Sequence, residues 1–393
     1  MKATTGIMFV AATCIGSGMI ALPMTLAKVG IIPSILLMLA MWCIIYYTSL
    51  INLELNLQAG KGIALGSLCG HFSGRKIQIL GTILLKLLSY SLLSAYIAGG
   101  SSVFEKILGI ENISLGYTLT LFCILSLPAN LIKKINNILF IILLGVIGVL
   151  IGFLTASVDW SHIPLFEQND ISVWSVLLPV VFTSFGFQVI FHTLTDYYKG
   201  NVLILKRVFF WGSLIPAVVY IIWTSSVIAT VHNHSEAFYQ RMIIGSVDVS
   251  ELITQLSLLA DNHLVQKLIM WLSFLAITTS AIGVGLGLIS SITNALNESN
   301  IQHRIIERQL KFLSPAIAVL PPYFTVILIP NAFISILGFA GMILSLIAII
   351  LPIYLLTLIK KDFYYSELKN KFLMHLSLMT GIAIIICGIF NML

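Results

Sequence analysis

The chain has 393 residues and a formal net charge of +6, with 59% hydrophobic residues and only 9% charged residues. A soluble globular domain carries about 25% charged residues, so this composition excludes folding in water. Long continuous apolar runs also exclude a transmembrane β-barrel, whose strands alternate apolar and polar residues. The composition therefore predicts an all-α polytopic membrane protein.

Apolar runs separated by polar breaks predict about eleven transmembrane helices, called spans one to eleven in chain order. The first run is too long for a cleavable signal peptide and leads directly into the second. The predicted spans are Thr5–Val29, Ile31–Gln58, Arg75–Phe104, Ser114–Pro128, Asn136–Ser157, Ser172–Tyr197, Leu205–Val231, His263–Thr293, Phe312–Ile329, Asn331–Ile359 and Phe372–Met392. The fourth span is short for a complete crossing.

The basic residues between the spans predict the orientation, because Lys and Arg concentrate in cytoplasmic loops. With a cytoplasmic N-terminus, all Lys and Arg residues face the cytoplasm except four outside and one within span three. These five exceptions are Lys28, Lys106, Arg241, Lys267 and Lys86. The N-terminus is therefore expected inside, and an odd number of spans places the C-terminus outside.

The polar stretches between spans are too short for a soluble domain. Gly60–Gly74, His232–Asn262 and Asn294–Lys311 are predicted to be loops or interfacial segments with short amphipathic helices. The five cysteines lack metal-ligand spacing, so free thiols are expected. We expect no cofactor and no nucleic-acid partner, and we expect the function to lie among the helices.

Span one contains the run Thr13–Gly18 (TCIGSG) at mid-depth, with Pro23 beyond it. Lipid offers no partner to a free N–H or C=O, so a helix broken at this depth must face protein or a water-filled cavity. In transporters, such interrupted helices form the binding site. The alternative is close helix packing, which small residues also favour.

Span six carries a second interruption within Pro179–Gln188, whose Thr, Ser and Gly residues again fall near mid-depth. Spans one and six occupy the same place in successive five-span units, and an odd number of spans inverts the second unit. The sequence therefore predicts a 5+5 inverted repeat with broken helices one and six. The predicted units are residues 1–158 and 159–360, followed by 361–393 with the additional span eleven.

Three stretches carry a family resemblance: Thr13–Pro23 in span one, Ser89–Gly100 in span three and Phe182–Phe187 in span six. With the number and order of spans, they resemble the bacterial hydroxy/aromatic amino acid permeases. The Gly-Met pair before Pro23 is more similar to the tyrosine and tryptophan branch. The resemblance implies the fold of the amino acid–polyamine–organocation superfamily, a bacterial inner-membrane location and ion-coupled import of an amino acid.

A zwitterionic amino acid needs separate partners for its carboxylate and its ammonium group. We expect free N–H groups of Gly16, Ser17 and Gly18, at the start of the half-helix after the break, to bind the carboxylate. Pro23 also frees the Met19 carbonyl, because proline has no N–H to donate. The ammonium is expected at backbone oxygens near Thr13, Cys14, Ile15, Thr183, Ser184 and Phe185, helped by the Thr183 or Ser184 hydroxyl.

The side chain of the substrate is expected to meet span six. Phe182, Phe185 and Phe187 are candidates for stacking on an aromatic substrate, although they cannot all point inward. Gly186 between them completes the predicted substrate-binding set. A phenolic or indole substrate needs one more polar partner, and the candidates are Ser94, Gln188 and Thr278.

Span three carries a polar stripe of Lys86, Tyr90, Ser94 and Ser101 at helical spacing. The Tyr90 hydroxyl is expected to contact the substrate carboxylate; the alternative is a packing tyrosine with a satisfied O–H. A lysine inside a span is costly, so Lys86 is a candidate for proton coupling or for replacing a bound cation. Snorkelling toward the cytoplasmic interface is the alternative.

Coupling to an ion is expected at span eight. Thr279 and Ser280 match a Thr-Ser pair that, in sodium-coupled relatives of this fold, binds the cation with span-one carbonyls, here that of Ile15. The resembled permeases are generally proton-coupled, so H⁺ and Na⁺ both stay open. Hydroxyls bonded to their own helix are the alternative. His192 is a candidate proton carrier, and a satisfied interior histidine is the more common role.

These observations predict a secondary active transporter that imports an aromatic amino acid, tyrosine first, by symport with H⁺ or alternatively Na⁺. A serine/threonine permease and an exchanger are the transport alternatives, and a non-transporting amino acid sensor represents another class. An intramembrane enzyme is disfavoured, because Asp and Glu lie almost entirely in loops and at span ends. The expected partners are the amino acid and the bilayer, and a monomer fits this fold.

Overall fold

The computed structural model describes residues 3–60, 62–110, 113–167, 170–258, 263–298, 307–330, 332–359, 368 and 370–391. These residues form helices joined by short turns, with no β-strand among them. Eight helices of this part of the chain are long and apolar enough to cross a membrane, and a bent pair adds a ninth. Spans four and nine contain the shorter apolar helices Ser114–Leu125 and Phe312–Leu328. The predicted all-α polytopic fold is confirmed.

The helices of the spans are bounded as follows, in chain order. They are Ala3–Cys14 with Gly18–Leu26, Ile31–Ala59, Arg75–Leu108, Ser114–Leu125, Ala129–Ser157, Trp174–Ser184 with Phe191–Tyr197, Val202–His234, His263–Glu298, Glu307–Leu328, Phe333–Ser345 with Leu351–Thr357, and Lys371–Phe390.

The largest boundary difference from the prediction is in span five, whose helix begins at Ala129 and not at Asn136. The prediction began at the continuous apolar run, whereas the helix includes the polar turns before it, because charged residues at a membrane surface do not break a helix. Span four ends at Leu125, before Pro128. Its 12 residues extend about 18 Å, against about 30 Å for the hydrocarbon core. Span ten contains an unpredicted π-helical turn, Leu346–Ile350.

Spans one and six are interrupted, as predicted. Half-helix 1a (Ala3–Cys14) and half-helix 1b (Gly18–Leu26) meet at an angle of 49°. In span six, half-helix 6a (Trp174–Ser184) ends at the break. Half-helix 6b (Phe191–Tyr197) follows a short 3-10 turn, Gln188–Ile190.

The segments between spans contain the predicted short helices. Leu65–Ser73 packs along span three, and Glu236–Ile244 and Val249–Leu258 follow span seven. Residues 259–262 and 299–306 of the other predicted loop segments lie outside the described residues. The same holds for part of the basic set used to predict the orientation, namely Lys2, Lys61, Arg304, Lys360, Lys361 and Lys369.

The two broken spans lie at the centre of the helix bundle. Half-helix 1a packs against spans seven and eight, half-helix 1b against span seven and half-helix 6a, and half-helix 6a against span ten. Every residue of half-helix 1b is buried. Span eleven is peripheral, since 22% of its most apolar window is buried compared with 72% in span eight. Protein therefore encloses the broken backbone, as an interruption at membrane depth requires.

Candidate functional site

The break in span one leaves three consecutive amides without a backbone acceptor. The Ile15 N–H donates to the Ala11 carbonyl at 2.8 Å, and the next amide after the break with an acceptor is that of Met19, which donates to Gly16 at 3.1 Å. Within the described chain, the amides of residues 16–18 have no backbone carbonyl partner. These are the amides expected to be free, and they lie at the partially positive N-terminus of half-helix 1b.

The break in span six satisfies its amides locally. The Phe185 and Gly186 N–H groups donate to the carbonyls of Phe182 and Thr183, at 3.2 and 3.0 Å. The N–H of the next residue, Phe187, donates to the side-chain Oε1 of Gln188 at 3.0 Å. Span six therefore presents no comparable row of amides, and the anion-binding end of the site lies in span one.

Tyr220 of span seven joins the two breaks. Its hydroxyl is fully buried and lies 2.5 Å from the Cys14 carbonyl oxygen and 3.3 Å from that of Ser184. The Cys14 thiol adds a direct link, because it lies 3.6 Å from the Phe185 carbonyl oxygen. Tyr220 is not among the residues predicted from the sequence to form the site, and the signal that marks it is a lone tyrosine in the middle of a long apolar span. The two interruptions are therefore held in one hydrogen-bonded unit.

The carbonyl freed by Pro23 also finds its partner on span seven. Trp223 Nε1 donates to the Met19 oxygen at 2.6 Å, and the indole is 3% exposed. The sequence correctly predicts a missing helical bond at Met19. It does not reveal that an indole three residues after Tyr220 replaces that bond.

Span eight approaches the same break from another side. The Ser280 hydroxyl donates to the Ile15 carbonyl at 3.2 Å, so two of the predicted ion-coupling residues are neighbours. Thr279 is buried beside them, but its hydroxyl donates to Leu275 of its own helix at 2.8 Å. A Cβ on Gly16 would lie 2.7 Å from the Ser280 Cβ, so only glycine permits this approach.

A small enclosed cavity, called here the central cavity, lies between the two breaks. Its volume is about 10 Å³, which is room for about one water molecule. Its lining residues are Thr13, Cys14, Ser17, Leu88, Leu92, Tyr96, Thr183, Ser184, Gly186, Gln188, Val189, Val284 and Leu344. Seven residues predicted from the sequence to contribute to the site line it together, namely Thr13, Cys14, Ser17, Thr183, Ser184, Gly186 and Gln188.

Gly18 does not line the cavity but allows the two breaks to approach each other. A Cβ at this position would lie 2.5 Å from the Tyr220 hydroxyl and 3.0 Å from the Ser184 Cβ. Close packing and a broken helix, which the sequence presents as alternatives, are therefore both present at the same glycine.

Span three presents a different stripe from the expected one. Leu88, Leu92 and Tyr96 line the central cavity, whereas the Tyr90 hydroxyl donates to the Ile317 carbonyl of span nine at 3.1 Å. The Ser94 hydroxyl donates to Tyr90 in its own helix at 2.9 Å. The reason is geometric, because two positions along a helix correspond to about 200° of rotation. Tyr96 has the place expected for Tyr90, with its hydroxyl beside Ser17 and Ser280.

The three span-six phenylalanines are fully buried, but none lines the central cavity. Phe185 meets Tyr220 edge-on at a centroid distance of 5.6 Å, and Phe187 lies 5.7 Å from Phe209. Two of these rings therefore pack on span seven, so Tyr96 is the aromatic side chain among the residues that line the cavity.

Gln188 is the polar side chain most available to a ligand. Its Nε2 atom is buried and has no hydrogen-bond partner among the described residues, while its Oε1 accepts the Phe187 amide. Thr278, another candidate, instead lies 3.3 Å from the Tyr117 hydroxyl, away from the cavity. Because an unpaired buried donor is costly, Gln188 is the side chain that a polar ligand atom would satisfy.

Two larger openings flank the central cavity at opposite ends of span three. The Lys86 vestibule has a volume of about 220 Å³ and includes Lys86 and His192. The Glu105 vestibule has a volume of about 650 Å³ and includes Glu105, Asp248 and Glu251. Lys86 and His192 therefore line the same vestibule, and neither of them lines the central cavity.

Comparison with known families identifies the chain. Residues 1–392 match the tryptophan/tyrosine permease family along essentially their whole length. The chain belongs to the tryptophan/tyrosine permease family. It is therefore a transport protein of a bacterial multi-span membrane family and not an enzyme.

Relatives within the tryptophan/tyrosine permease family have more than one named substrate. The chain is 27% identical to tyrosine-specific transport system 1 of Haemophilus influenzae over 361 residues, covering 90% of this chain and 88% of that protein. It is 24% identical to the tryptophan-specific transport protein of Pseudomonas aeruginosa, with 91% and 86% covered. Glutamine transporter 2 of Aliivibrio fischeri is also 24% identical, with 96% of both chains covered.

Solved structures show the same fold. Mhp1, a nucleobase-cation-symport-1 family transporter in a closed conformation, superposes with a TM-score of 0.62 at 12% identity, covering 99% of this chain and 90% of that one. A manganese transporter of Eremococcus coleocola superposes with a TM-score of 0.60 at 14% identity, covering 98% and 85%. At such identities these neighbours establish the transporter fold of this permease and not its substrate.

Proposed function

We propose that this permease imports an aromatic amino acid, tyrosine first, by symport with an ion and alternating access. The observation that carries the proposal is the row of amides at residues 16–18 that have no carbonyl acceptor among the described residues, at the edge of a small cavity between two broken helices. The tyrosine- and tryptophan-specific relatives support the choice of substrate class.

The substrate carboxylate is assigned to the start of half-helix 1b. Three N–H groups without a carbonyl acceptor, of which that of Gly16 meets the Tyr220 hydroxyl, and the positive end of the helix dipole favour an anion without any basic side chain. Ser17 lines the cavity at this point, and the lining contains no Lys, Arg, Asp or Glu among the described residues. A neutral zwitterion fits such a site better than a substrate with net charge.

The ammonium group is assigned to the span-six side of the cavity. Thr183 donates to the Pro179 and Leu337 carbonyls at 2.7 and 2.9 Å, and Ser184 donates to Val180 at 3.0 Å. Both hydroxyl protons are therefore used, while the oxygen lone pairs remain available to accept from an ammonium group. Span six therefore offers hydrogen-bond acceptors, whereas the span-one amides offer donors. The two ends of a zwitterion are thus bound at different sides of the cavity.

The substrate side chain is assigned to the apolar wall. Leu88, Leu92, Val284 and Leu344 contribute aliphatic surface, and Tyr96 contributes an aromatic ring. The Nε2 amide group of Gln188 would donate a hydrogen bond to a phenolic oxygen. An aromatic ring does not fit in about 10 Å³, so the cavity must enlarge during transport.

Alternating access explains why one closed cavity lies between two vestibules. With the expected cytoplasmic N-terminus, half-helix 1b runs outward, the Glu105 vestibule opens outside and the Lys86 vestibule opens to the cytoplasm. The proposed repeat units, residues 1–158 and 159–360, would then move against each other around the central cavity, as inverted repeats do in secondary transporters.

The place at which the coupling ion acts is proposed to depend on the ion. H⁺ is the first choice as coupling ion, and Lys86 is its candidate carrier, because neither a backbone carbonyl nor a hydroxyl takes up a proton near neutral pH. Na⁺ is the alternative, and its proposed site is the junction where span eight meets the span-one break. The Ile15 carbonyl and the Ser280 hydroxyl already lie 3.2 Å apart, with Thr279 adjacent. Oxygen ligands of this kind suit a hard cation such as Na⁺, which would replace the present Ser280 hydrogen bond.

Glutamine is the second candidate substrate. A relative named as a glutamine transporter covers 96% of this chain, and the phenylalanines expected to stack on a ring do not line the cavity. An amide side chain would pair with Gln188 as well as a phenol does.

Uptake of labelled amino acids into proteoliposomes tests these assignments together. Purified protein is supplied with tyrosine, tryptophan, glutamine or serine under an imposed proton or sodium gradient. We expect tyrosine uptake driven by an inward proton gradient and abolished by a protonophore. Uptake indifferent to both gradients contradicts symport, and preference for glutamine or serine replaces the aromatic assignment. Tyrosine binding without counterflow indicates a sensor.

A further inference from the structure

The Lys86 vestibule is a second polar cavity that the central site does not explain. Lys86 is half-buried in it, on span three. The other lining residues are Ala64, Gly66, Ser67, Gln78, Thr82, Leu85, Ser89, Val189, His192, Gly287, Leu288, Ser290 and Ser291. Hydroxyl and amide side chains therefore surround one ammonium group and one imidazole.

Lys86 lacks an anionic partner among the described residues. The lining contains no Asp or Glu, and no carboxylate of the described chain lies within ion-pair distance of Lys86. Asp196, on the neighbouring half-helix 6b, interacts with His192. A half-buried cation without an anion favours the uptake of one, because pairing offsets its desolvation.

Hydroxyl donors from span eight line the same vestibule. Ser290 and Ser291 of span eight carry no hydrogen bond to another described residue, so their O–H groups are free to donate. By contrast, the Ser89 hydroxyl donates to Leu85 in its own helix at 2.9 Å. A cation and two free donors across one cavity match the requirements of a carboxylate.

The vestibule adjoins the central cavity. Val189 lines both, and Leu88, which lines the central cavity, is two positions from Lys86 on the same helix. A molecule that leaves the central cavity past Val189 therefore meets Lys86 next. Leu85 and Leu288 add apolar surface for its side chain.

We propose that Lys86, with Ser290 and Ser291, forms a second binding site in this vestibule for the carboxylate of an amino acid moving between the central cavity and the cytoplasm. The proposal rests on the proposed function for its substrate and on the expected orientation for its side. The shared chemistry is that of a small carboxylate, supplied either by the transported amino acid or by another cytoplasmic acid.

Transport measured from both faces tests the site. In proteoliposomes of defined orientation, Lys86→Gln is expected to raise the ratio of internal to external KM for tyrosine about tenfold, as loss of one charge-assisted bond of about 1.5 kcal/mol implies. Lys86→Arg, which keeps the positive charge, should leave the ratio of KM values close to that of the wild type. The matched control is Lys76→Gln, which removes an exposed charge from the same helix away from the vestibule. An unchanged ratio in Lys86→Gln, or loss of ion coupling alone, overturns the proposal.

Chemical protection tests the site without relying on transport. Lys86 in the purified full-length protein is acetylated, and its modification is quantified by mass spectrometry with tyrosine, tyrosinamide or acetate present. Protection by tyrosine but not tyrosinamide supports a carboxylate site for the substrate, and equal protection by acetate supports one for small carboxylates in general. Equal acetylation under all conditions overturns the site. Protection without any amino acid uptake leaves the site standing and refutes the proposed function.

Discussion

The Tyr220 hydroxyl lies 2.5 Å from the carbonyl oxygen of Cys14, and the same hydroxyl lies 3.3 Å from the carbonyl of Ser184. One side chain of span seven thus contacts the backbone of both broken helices. The hydroxyl has a single proton, which donates to one of the two carbonyls at a time. Because both carbonyls must stay within reach of the same oxygen, the contact favours a fixed distance between the breaks. Movement of half-helix 1a relative to half-helix 6a must change this contact.

Tyr220→Phe should lower thermal stability and slow tyrosine uptake. It removes the donor to a buried carbonyl, and an unsatisfied buried acceptor costs about 1–3 kcal/mol. Thermal unfolding in detergent and initial uptake rates measure the two effects. Tyr47→Phe is the matched control, because the buried Tyr47 hydroxyl has no partner among the described residues. Equal effects of the two variants would show that the Tyr220 hydrogen bond to the broken spans contributes little to stability or to uptake.

Gly18→Ala should impair folding or transport through a collision with Tyr220. The added Cβ would lie 2.5 Å from the hydroxyl, which is closer than packed atoms tolerate. The added Cβ would also lie 2.6 Å from Cζ of the Tyr220 ring, which Tyr220→Ala removes together with the oxygen. The double variant of Gly18→Ala with Tyr220→Ala should therefore lose less stability than the two single losses added together. Unfolding temperatures of all four proteins test this coupling, and strict additivity contradicts it. Gly145→Ala, which has open space around it, is the neutral control.

Ser280→Ala should weaken coupling to the driving ion. The hydroxyl contacts the Ile15 carbonyl at the break, so its removal takes away one of the oxygens proposed to act on the ion. Under a sodium gradient, we expect the Na⁺ concentration for half-maximal uptake to rise about tenfold, equivalent to about 1.4 kcal/mol. Ser273→Ala removes a buried hydroxyl that bonds only within the same helix. The ion-coupling assignment fails if both variants keep the wild-type ion dependence.

Gln188→Met should reduce the preference for tyrosine over phenylalanine. The substitution removes the free Nε2 donor, which only the phenolic substrate can use. It also removes the acceptor for the Phe187 amide, but that loss affects both substrates equally. The ratio of the two KM values therefore isolates the donor, and a fall of about tenfold corresponds to one lost hydrogen bond. A constant ratio would place the phenol elsewhere.

Acid should loosen the two short helices that follow span seven. Arg241 donates to both Glu251 carboxylate oxygens, at 2.7 and 2.9 Å, and this bond holds the pKa of Glu251 below its usual range. A carboxyl with a lowered pKa stabilises the folded state above the ordinary glutamate pKa of about 4.3, and this contribution is lost as the pH falls below it. Limited proteolysis between pH 6 and 3 should show increasing cleavage of this segment. Arg241→Gln should flatten that dependence, and a parallel profile in the variant contradicts the assignment.

Much of this protein could be predicted from local sequence. The apolar runs determine the all-helical membrane fold, since each run exceeds what a soluble protein can bury. The glycines at positions 16 and 18 determine where span one breaks, and Pro23 within half-helix 1b leaves the Met19 carbonyl without its helical donor, both through local backbone chemistry alone. The free amides at residues 16–18 follow from the same local cause.

The partners of the break were decided only by the tertiary structure. Tyr220, Trp223 and Ser280 lie hundreds of positions from span one, and nothing local marks which of them faces a freed carbonyl. Likewise, Tyr96 and not Tyr90 faces the cavity because helix rotation is set by packing against neighbouring spans. Sequence determines which backbone groups lack a partner, since that depends on adjacent residues. Tertiary packing decides which side chains satisfy the freed carbonyls, because a buried carbonyl without a donor is costly and the donor must come from the helix beside it.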